Sequence, residues 1–222
     1  MNIKRLVFNP FRENTYLVWD DTKECIVVDA GNMMEQEHRR LNEEIEALGL
    51  TPILAVNTHG HFDHIGGVGY LKERYGVQFA CSSKDSFLIE GAASQAAMFG
   101  MQCGETPKLD IDLDSVEEIK FGSTTLRVIK TPGHTPGHVS LFAESERVLF
   151  TGDTLFRESI GRTDLPGGDY SWIMNSILEA IVPLGDDVTI YPGHEESSTI
   201  GHETLYNPFI TEVLNNEINY KG

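Results

Sequence analysis

Cysteine is scarce in this sequence, and no two cysteines form a C-x-x-C pair. The 222 residues include three, at Cys25, Cys81 and Cys103. Disulfide-stabilised folds need paired cysteines, and thiolate zinc sites draw on closely spaced ones. Neither class of protein fits this pattern, so we expect three buried or unreactive thiols in a reducing compartment.

Basic residues and long apolar runs are also in short supply. The chain has 17 Lys and Arg residues against 34 Asp and Glu residues, a formal net charge of -17. Such a chain repels phosphate backbones and anionic membrane surfaces. No uncharged apolar run reaches about 18 residues, the length that spans a membrane, and the segment MNIKRLVFNPFRENTY lacks the features of a signal peptide. We therefore expect a cytoplasmic protein with neither nucleic acid nor membrane as a partner.

Apolar runs of strand length are present in both halves of the chain. The hydrophobic content of 40% is enough for a buried core, and we expect one domain over residues 1–222. In the first half, strands are predicted at 3–8, 15–19, 25–31 and 53–57. An amphipathic helix is predicted over 34–48, and in the second half strands precede a helix over 167–185. This order favours an α/β (α+β) fold, with two sheets back to back and helices outside.

Three of the eight histidines lie in one short segment, THGHFDHIGG at residues 58–67. The segment follows a predicted strand directly, and the C-terminal ends of strands are where α/β proteins usually place their sites. The same arrangement recurs in VIKTPGHTPGH, VLFTGD and VTIYPGHE, where ligand-type residues follow an apolar strand at once. The candidate metal ligands are His59, His61, Asp63, His64, His134, Asp153 and His194.

Loops at the same ends of neighbouring strands can bring these seven side chains together. Five imidazoles and two carboxylates in one place would be costly without partners, because buried polar groups need to be paired. Two divalent metal ions would satisfy them, since imidazole suits zinc and iron and a carboxylate can bridge two ions. We expect a dinuclear site with zinc as the first choice and iron or manganese as alternatives. The oligomeric state is left open.

The pattern T-H-x-H-x-D-H at 58–64, with a separate histidine, aspartate and histidine after it, resembles the metallo-β-lactamase superfamily of metallohydrolases. The resemblance covers nearly the whole chain and implies a four-layer αββα sandwich. It also implies a division of the ligands between two ions. One ion would be held by His59, His61 and His134, the second by Asp63, His64 and His194, and Asp153 would bridge both.

Within the superfamily, the segments GHTPGH, TGDTLF and GRTD most resemble the type II glyoxalases, the hydroxyacylglutathione hydrolases, which cleave S-acyl glutathione thioesters. Because His194 lies close to the end of the given sequence, the resemblance is to the compact single-domain members. It implies a small-molecule thioester substrate, attacked by hydroxide from water between the two ions. Asp63 and Asp153 would orient this nucleophile, and Arg162 is the candidate for binding an anionic substrate.

Three alternatives to this function stay open. The stretch FRESIGRTDLPGGD also resembles a loop of the persulfide dioxygenases of the same group. These would be mononuclear iron oxidoreductases, with His59, His61 or His134 and Asp153 as ligands. The second alternative is hydrolysis of another ester or a lactone, and the third is a metal-binding scaffold without catalytic activity.

Three further histidines are expected to lie outside the set of metal ligands. His138 opens an apolar strand, which favours a structural role or the support of a ligand. His38 lies on the predicted helix over 34–48, and His202 follows Gly201 near the end of the sequence. Both are expected to be ordinary surface histidines.

Overall fold

Most of the apolar runs form strands of two six-stranded sheets, because the side chains of a strand alternate between its two faces and can pack on both. The computed structural model describes residues 1–104 and 108–220, and side chains as far as residue 214. The strands are β1 (Asn2–Phe8), β2 (Glu13–Trp19), β3 (Glu24–Val28), β4 (Thr51–Val56), β5 (Gln78–Cys81), β6 (Ile111–Asp112), β7 (Glu118–Phe121), β8 (Thr124–Lys130), β9 (Val139–Ala143), β10 (Val148–Gly152), β11 (Leu155–Phe156), β12 (Ser159–Ile160), β13 (Thr189–Pro192) and β14 (Ser198–Thr199).

The helices lie between strands and at the C-terminal end of the described chain. They are α1 (Glu35–Leu48), α2 (Phe62–Ile65), α3 (Val68–Tyr75), α4 (Ser86–Glu90), α5 (Ala92–Met98), α6 (Tyr170–Asn175), α7 (Ile200–Tyr206) and α8 (Pro208–Tyr220). A π-helical segment, Ser176–Ile181, and a 3-10 turn, Val182–Leu184, continue α6. Another 3-10 turn, Ser83–Asp85, precedes α4 directly.

The first sheet has the strand order β1-β2-β3-β4-β5-β6. Its first three strands pair antiparallel, and β3 to β6 pair parallel. Parallel neighbours need a crossover connection, and α1 and α3 supply those between β3 and β4 and between β4 and β5. As a result, β3 and β4 end at the same edge of the sheet.

The second sheet has the order β14-β13-β10-β9-β8-β7. Its pairs are antiparallel except β10 with β13, which run parallel and are joined by the chain that includes α6. β11 and β12 form a separate two-stranded sheet. The parallel pair matters for the site, because β10 and β13 both end at the edge that faces the end of β4.

Three apolar clusters divide the fold into four layers. The central cluster lies between the two sheets and includes Tyr16 and Val56 from the first and Leu141 and Phe150 from the second. The second cluster packs the outer face of the first sheet against α1, α3 and α5. The third packs the second sheet against the segment from α6 onward and against α7 and α8. The predicted four-layer αββα sandwich is confirmed.

The helix boundaries follow the local signals in the sequence. The predicted helix over 34–48 is confirmed as α1, and Gly49 ends it in the left-handed conformation with φ 63°. Gly91 lies between α4 and α5 and separates the two helices. No helix in the described part of the chain has the length and apolar character needed to cross a membrane. That residues 1–222 form one domain stays a prediction.

Candidate metal centre

The ends of four strands converge on one edge of the sandwich. His59 and His61 follow β4, and Asp63 and His64 lie on the single turn of α2. The segment after β8 supplies His134, the end of β10 is followed by Asp153, and the end of β13 by His194. The structure therefore brings all seven predicted ligands together. His59 and His64 have fully buried side chains, whereas those of Asp63 and His194 are 14% and 20% exposed.

The first group of donors consists of His59, His61 and His134, and one ligand atom from each lies within 4.8 Å of the others. His134 Nδ1 lies 2.7 Å from the carbonyl oxygen of Arg162 and donates to it, which leaves Nε2 as a bare acceptor. That Nε2 lies 2.9 Å from His61 Nδ1. The three imidazoles therefore converge on one small volume.

The second group consists of Asp63, His64 and His194, again with ligand atoms within 4.8 Å of one another. His194 Nδ1 lies 3.0 Å from the Phe11 carbonyl oxygen, so Nε2 faces the site. His194 Nε2 lies 3.5 Å from Asp63 Oδ2 and 3.2 Å from His64 Nε2. This group forms the more exposed side of the centre.

Asp153 lies between the two groups. Its Oδ1 is 3.5 Å from His64 Nε2, and its Oδ2 is 3.5 Å from His194 Nε2 and 3.6 Å from His134 Nε2. A third set of possible ligands, His59 with His64 and Asp153, takes one histidine from each group. The two donor groups contain the same residues as the two ligand sets that the family resemblance implies, and Asp153 lies between them as that resemblance implies.

The donor atoms fit a pair of cations. His59 Nε2 and Asp153 Oδ1 are buried and have no hydrogen-bond partner in the described part of the chain, although buried polar atoms are nearly always paired. His64 Nε2 and His194 Nε2 lie 3.2 Å apart, and the other ring nitrogen of each lies near an acceptor, the Asp29 carboxylate for His64 and the Phe11 carbonyl for His194. A divalent ion held by imidazole and carboxylate ligands would pair these atoms.

Burial and mutual repulsion keep two imidazoles of the first group neutral. Burial lowers the pKa of His61 to about 3, and the neighbouring His134 adds to the effect. Burial likewise lowers the pKa of His59 well below its usual value, with further lowering by His64. Neutral imidazole is the form that binds a metal ion.

In the second group, opposite charges outweigh burial. Burial would lower the pKa values of His64 and His194, but Asp153 and Asp63 raise both overall. Burial would raise the pKa values of the two carboxyls, but His194 and His64 lower both overall. These charges favour the protonated form of His64 and His194, and a bound cation would replace the protons.

Asp29, which the sequence analysis did not single out, supports the second group. It follows β3 with φ 51°, in the left-handed region that non-glycine residues rarely adopt. Its Oδ2 lies 3.2 Å from His64 Nδ1 and accepts a 2.8 Å hydrogen bond from Thr58 Oγ1. A carboxylate on the outer nitrogen of a ligand histidine fixes its tautomer and orientation. In the sequence, Asp29 directly follows the apolar run of the segment CIVVDAG. This position at a strand end is the signal that could have identified it.

Glu13 and Asn14 are two more buried polar residues beside the second group. Burial raises the pKa of Glu13 well above its usual value, which favours the protonated carboxyl. Its Oε2 accepts a hydrogen bond of 2.8 Å from Thr15 Oγ1. Asn14 Nδ2 donates to the carbonyls of Pro192 and Glu195, on either side of His194. β2 thereby positions the segment that carries His194.

Asp85 supports the first group and gave no signal in the sequence. Its side chain is fully buried, and it lies in the 3-10 turn before α4. Oδ2 accepts hydrogen bonds from Gly60 N at 2.9 Å and Thr135 Oγ1 at 2.7 Å. Oδ1 accepts one from Gly137 N at 2.7 Å. One carboxylate thus contacts both segments that carry the first group.

The two P-G-H segments place their histidines through close backbone approach. Gly133 has φ 141°, and a Cβ there would lie 2.2 Å from Ile173 N in α6. A Cβ at Gly193 would lie 2.3 Å from Asp153 Oδ1 and 2.6 Å from His64 Cε1. Any side chain at Gly193 would therefore occupy the metal centre itself.

His138 lies beside the centre with both ring nitrogens engaged. Nε2 accepts a 3.0 Å hydrogen bond from Asp153 N, and Nδ1 lies 2.9 Å from Thr131 Oγ1 and 3.0 Å from Thr154 Oγ1. Its ring stacks on that of His59, with centroids 5.1 Å apart. These contacts agree with a supporting role rather than with metal ligation.

The other predicted residues lie at or near the surface. The exposed guanidinium of Arg162 forms two 2.8 Å hydrogen bonds with Asp164, so only its carbonyl, bound to His134, reaches the donors. Its predicted role in substrate binding stays a prediction.

His38 is half-buried and stacks on Tyr70 at 3.9 Å, and His202 lies 2.9 Å from Glu158 Oε1. Both are therefore packed side chains at the surface.

Comparison with known protein families gives one match over most of the chain. The metallo-beta-lactamase superfamily matches residues 8–194. Among curated proteins, the chain is 38% identical over 217 residues to the hydroxyacylglutathione hydrolase GloC of Haemophilus influenzae, with 95% of this chain and 98% of that protein covered. It is 32% identical over 203 residues to the mitochondrial persulfide dioxygenase ETHE1 of Mus musculus, with 89% and 71% covered.

Two solved structures share the fold over nearly their whole length. The BLEG-1 B3 metallo-beta-lactamase matches with a TM-score of 0.88 and 34% identity, covering 95% of this chain and 100% of that one. TTHA1623 in a di-iron-bound form matches with a TM-score of 0.82 and 32% identity, covering 93% and 99%.

Proposed function

The chain belongs to the metallo-beta-lactamase superfamily, and from this premise we propose that it is a dinuclear metal-dependent hydrolase of thioesters. Its similarity to a hydroxyacylglutathione hydrolase confirms the predicted resemblance to that branch and supports hydrolysis as its reaction class. The proposed substrates are S-acyl glutathiones or related small thioesters.

The observation that carries this proposal is the pair of donor groups with Asp153 between them. One ion would be held by His59, His61 and His134, and the other by Asp63, His64 and His194. Zinc is the proposed metal, and the di-iron form of TTHA1623 keeps iron as an alternative beside manganese. Bound there, the ions would supply a Lewis acid for the carbonyl oxygen and a water molecule acidic enough to attack at neutral pH.

The chain's own residues would orient the reactants. Asp63 is partly exposed, with Oδ2 3.5 Å from His194 Nε2, and would orient the attacking water. Asp153 is held in place by the hydrogen bond from its own N–H to His138. Because Asp63 and His194 are the most exposed of the candidate ligands, the thioester would approach from their side. A thiolate is a good leaving group and needs no strong general acid.

Thiol release from S-lactoylglutathione, measured together with metal content, tests this proposal. We expect about two metal ions per chain and hydrolysis that stops when a chelator removes them. Asp153→Asn should lower kcat by about 10²-fold or more, the scale seen when one electrostatic group of an active site is lost. Asp187→Asn is the matched control, because Asp187 pairs with Arg147 at the surface. A metal-loaded protein that cleaves no thioester, ester or lactone would refute the proposal.

A mononuclear iron persulfide dioxygenase is the second candidate, and the similarity to ETHE1 favours it. In that case iron would be bound by His59, His61 or His134 and by Asp153. Oxygen uptake by the iron-loaded protein with glutathione persulfide separates the two candidates. One iron per chain with oxygen uptake and no thiol release would favour the dioxygenase.

A further inference from the structure

The two segments of the first donor group are joined through the Asp85 carboxylate. On one side it accepts the N–H of Gly60, the residue between His59 and His61. On the other it accepts the Thr135 hydroxyl and the Gly137 N–H, in the segment that follows His134. Segments 58–64 and 131–138 are therefore both hydrogen-bonded to one buried carboxylate, and that carboxylate lies in neither segment.

The backbone on both sides leaves room for this carboxylate. A Cβ at Gly60 would lie 2.9 Å from Asp85 Cβ, and one at Gly137 would lie 2.7 Å from Asp85 Oδ1. Real Cβ atoms essentially never come so close, so both positions need glycine. The φ of Gly60 does not lie in the left-handed region. This glycine is thus required by the approach of Asp85 rather than by backbone conformation.

The second donor group has separate supports. Asp29 lies beside His64, the Phe11 carbonyl accepts from His194, and Asn14 holds the segment around His194. Within the described chain, the hydrogen bonds of the Asp85 carboxylate go to Gly60, Thr135 and Gly137 alone. Asp85 therefore supports the first group, whereas Asp29 contacts His64 of the second group and also Thr58, whose hydroxyl lies 3.0 Å from His59 Nδ1.

We propose that Asp85 is a positioning residue that sets the affinity of the first donor group for its metal ion and leaves the second group unaffected. The inference rests on the metal centre of the proposed function and not on the thioester substrate. Residues that orient metal ligands typically contribute 10–100-fold to metal affinity. If Asp85 had only a general structural role, replacing it would weaken metal binding at both sites. A loss of affinity at the first site alone indicates a positioning role.

Asparagine at position 85 removes this support with little change in shape. An amide presents one acceptor oxygen and one NH2 donor, whereas three donors converge on the carboxylate. If the NH2 takes the place of Oδ2 it faces Gly60 N–H, and if it takes the place of Oδ1 it faces Gly137 N–H. Either orientation leaves one backbone donor facing another donor, and that segment must move.

The experiment measures zinc affinity by equilibrium competition with a chromophoric chelator, in two backgrounds that each keep one donor group. His194→Ala keeps the first group intact, and His61→Ala keeps the second. Adding Asp85→Asn should weaken zinc binding by about 10–100-fold in the His194→Ala background. In the His61→Ala background, Asp85→Asn should change zinc affinity by less than about threefold, which is well below the 10–100-fold loss expected at the first group.

Asp114→Asn is the matched control in both backgrounds. Asp114 also contacts the turn before α4, through Ser82 Oγ at 2.5 Å and Lys84 Nζ at 3.1 Å, but it does not contact the metal-binding segments. It should leave both affinities unchanged. If Asp85→Asn does not fold, Thr135→Val removes one of the three hydrogen bonds, and its loss of affinity should be smaller but confined to the first group.

The inference would be overturned by an equal loss in both backgrounds, or by no loss where only the first group remains. It would also be overturned if the His194→Ala protein bound no zinc, because the first group would then not be a site by itself. None of these measurements uses a thioester. Failure of the inference is therefore separate from failure of the proposed hydrolase activity.

Discussion

Each imidazole of the centre that supplies Nε2 has its other nitrogen close to a neighbouring acceptor. His134 Nδ1 donates to the Arg162 carbonyl, and His194 Nδ1 to the Phe11 carbonyl. His64 Nδ1 faces the Asp29 carboxylate, and His59 Nδ1 lies 3.0 Å from Thr58 Oγ1. Such contacts select the tautomer in which Nε2 carries a lone pair. The donor set is therefore organised for cation binding by the protein alone.

His138→Gln tests whether every histidine at the centre is a ligand. Both nitrogens of His138 bind protein groups, so we expect the variant to keep two metal ions per chain. The loss of buried hydrogen bonds should lower the free energy of unfolding by about 1–3 kcal/mol. Metal content by plasma mass spectrometry and urea unfolding measure the two effects. His134→Gln is the comparison and should lose a metal ion; the same loss in His138→Gln would make His138 a ligand.

The candidate donors could be named from the sequence, and most of the residues that support them could not. The seven candidates were found because each follows an apolar strand closely, and strand ends meet in space. Asp85 has no such signal, since it lies in a short turn far along the chain from Gly60 and Gly137. The carbonyls of Phe11 and Arg162 carry none either, because every residue has a carbonyl and only folding decides which one meets an imidazole.

At the scale of elements, one buried carboxylate fastens the first sheet to the second. Asp20 lies in the turn between β2 and β3 and accepts hydrogen bonds from Thr22 in its own turn. It also accepts bonds from Ser123 N and Oγ and from Thr124 Oγ1, in the turn between β7 and β8. The hydrogen bond from the Thr22 hydroxyl and those from the two backbone N–H groups lower the pKa of Asp20 well below its usual range.

Asp20→Asn should destabilise the protein in a pH-dependent way. A carboxyl whose pKa is lower in the folded state stabilises it above the unfolded pKa of about 4, and this contribution is lost as the pH falls further. We therefore expect the free energy of unfolding to drop by about 2 kcal/mol at pH 7. The difference from the native sequence should shrink below about pH 4.

Urea unfolding curves between pH 7 and pH 3.5 measure this difference. Asp21→Asn is the control, because Asp21 is exposed and neighbours Asp20 in the same turn; it should change stability little at any pH. A difference for Asp20→Asn that stays constant down to pH 3.5 would contradict the ionised role of Asp20.

Long periodic elements were predictable, and short ones were not. The helix α1 has apolar residues on one face over 14 residues and a glycine after its end, so its limits follow from local signals. The strands β6, β11, β12 and β14 have two residues each, too few for any alternation to appear. α2 also escaped prediction, because its four residues are too few to show a helical period.

At the scale of the whole molecule, neither sheet supplies a complete donor group. The first group takes His59 and His61 from the end of β4 in the first sheet and His134 from the second. The second group takes Asp63 and His64 from the first sheet and His194 from the second. Any ion held by either group would therefore link the two sheets, in addition to the central apolar cluster.

Removal of the metal ions should for this reason lower the melting temperature of the whole fold. A ligand that binds only the folded state at 100 times its Kd adds about 2.7 kcal/mol. For a chain of this size each kcal/mol corresponds to about 2–4 °C, so we expect a fall of about 5–10 °C per ion. Scanning calorimetry before and after chelation measures the fall, with metal content checked on the same samples. Asp153→Asn, which lacks the carboxylate between the groups, should show a smaller fall. If complete removal of metal left the melting temperature unchanged, the donor groups would not link the sheets through bound ions.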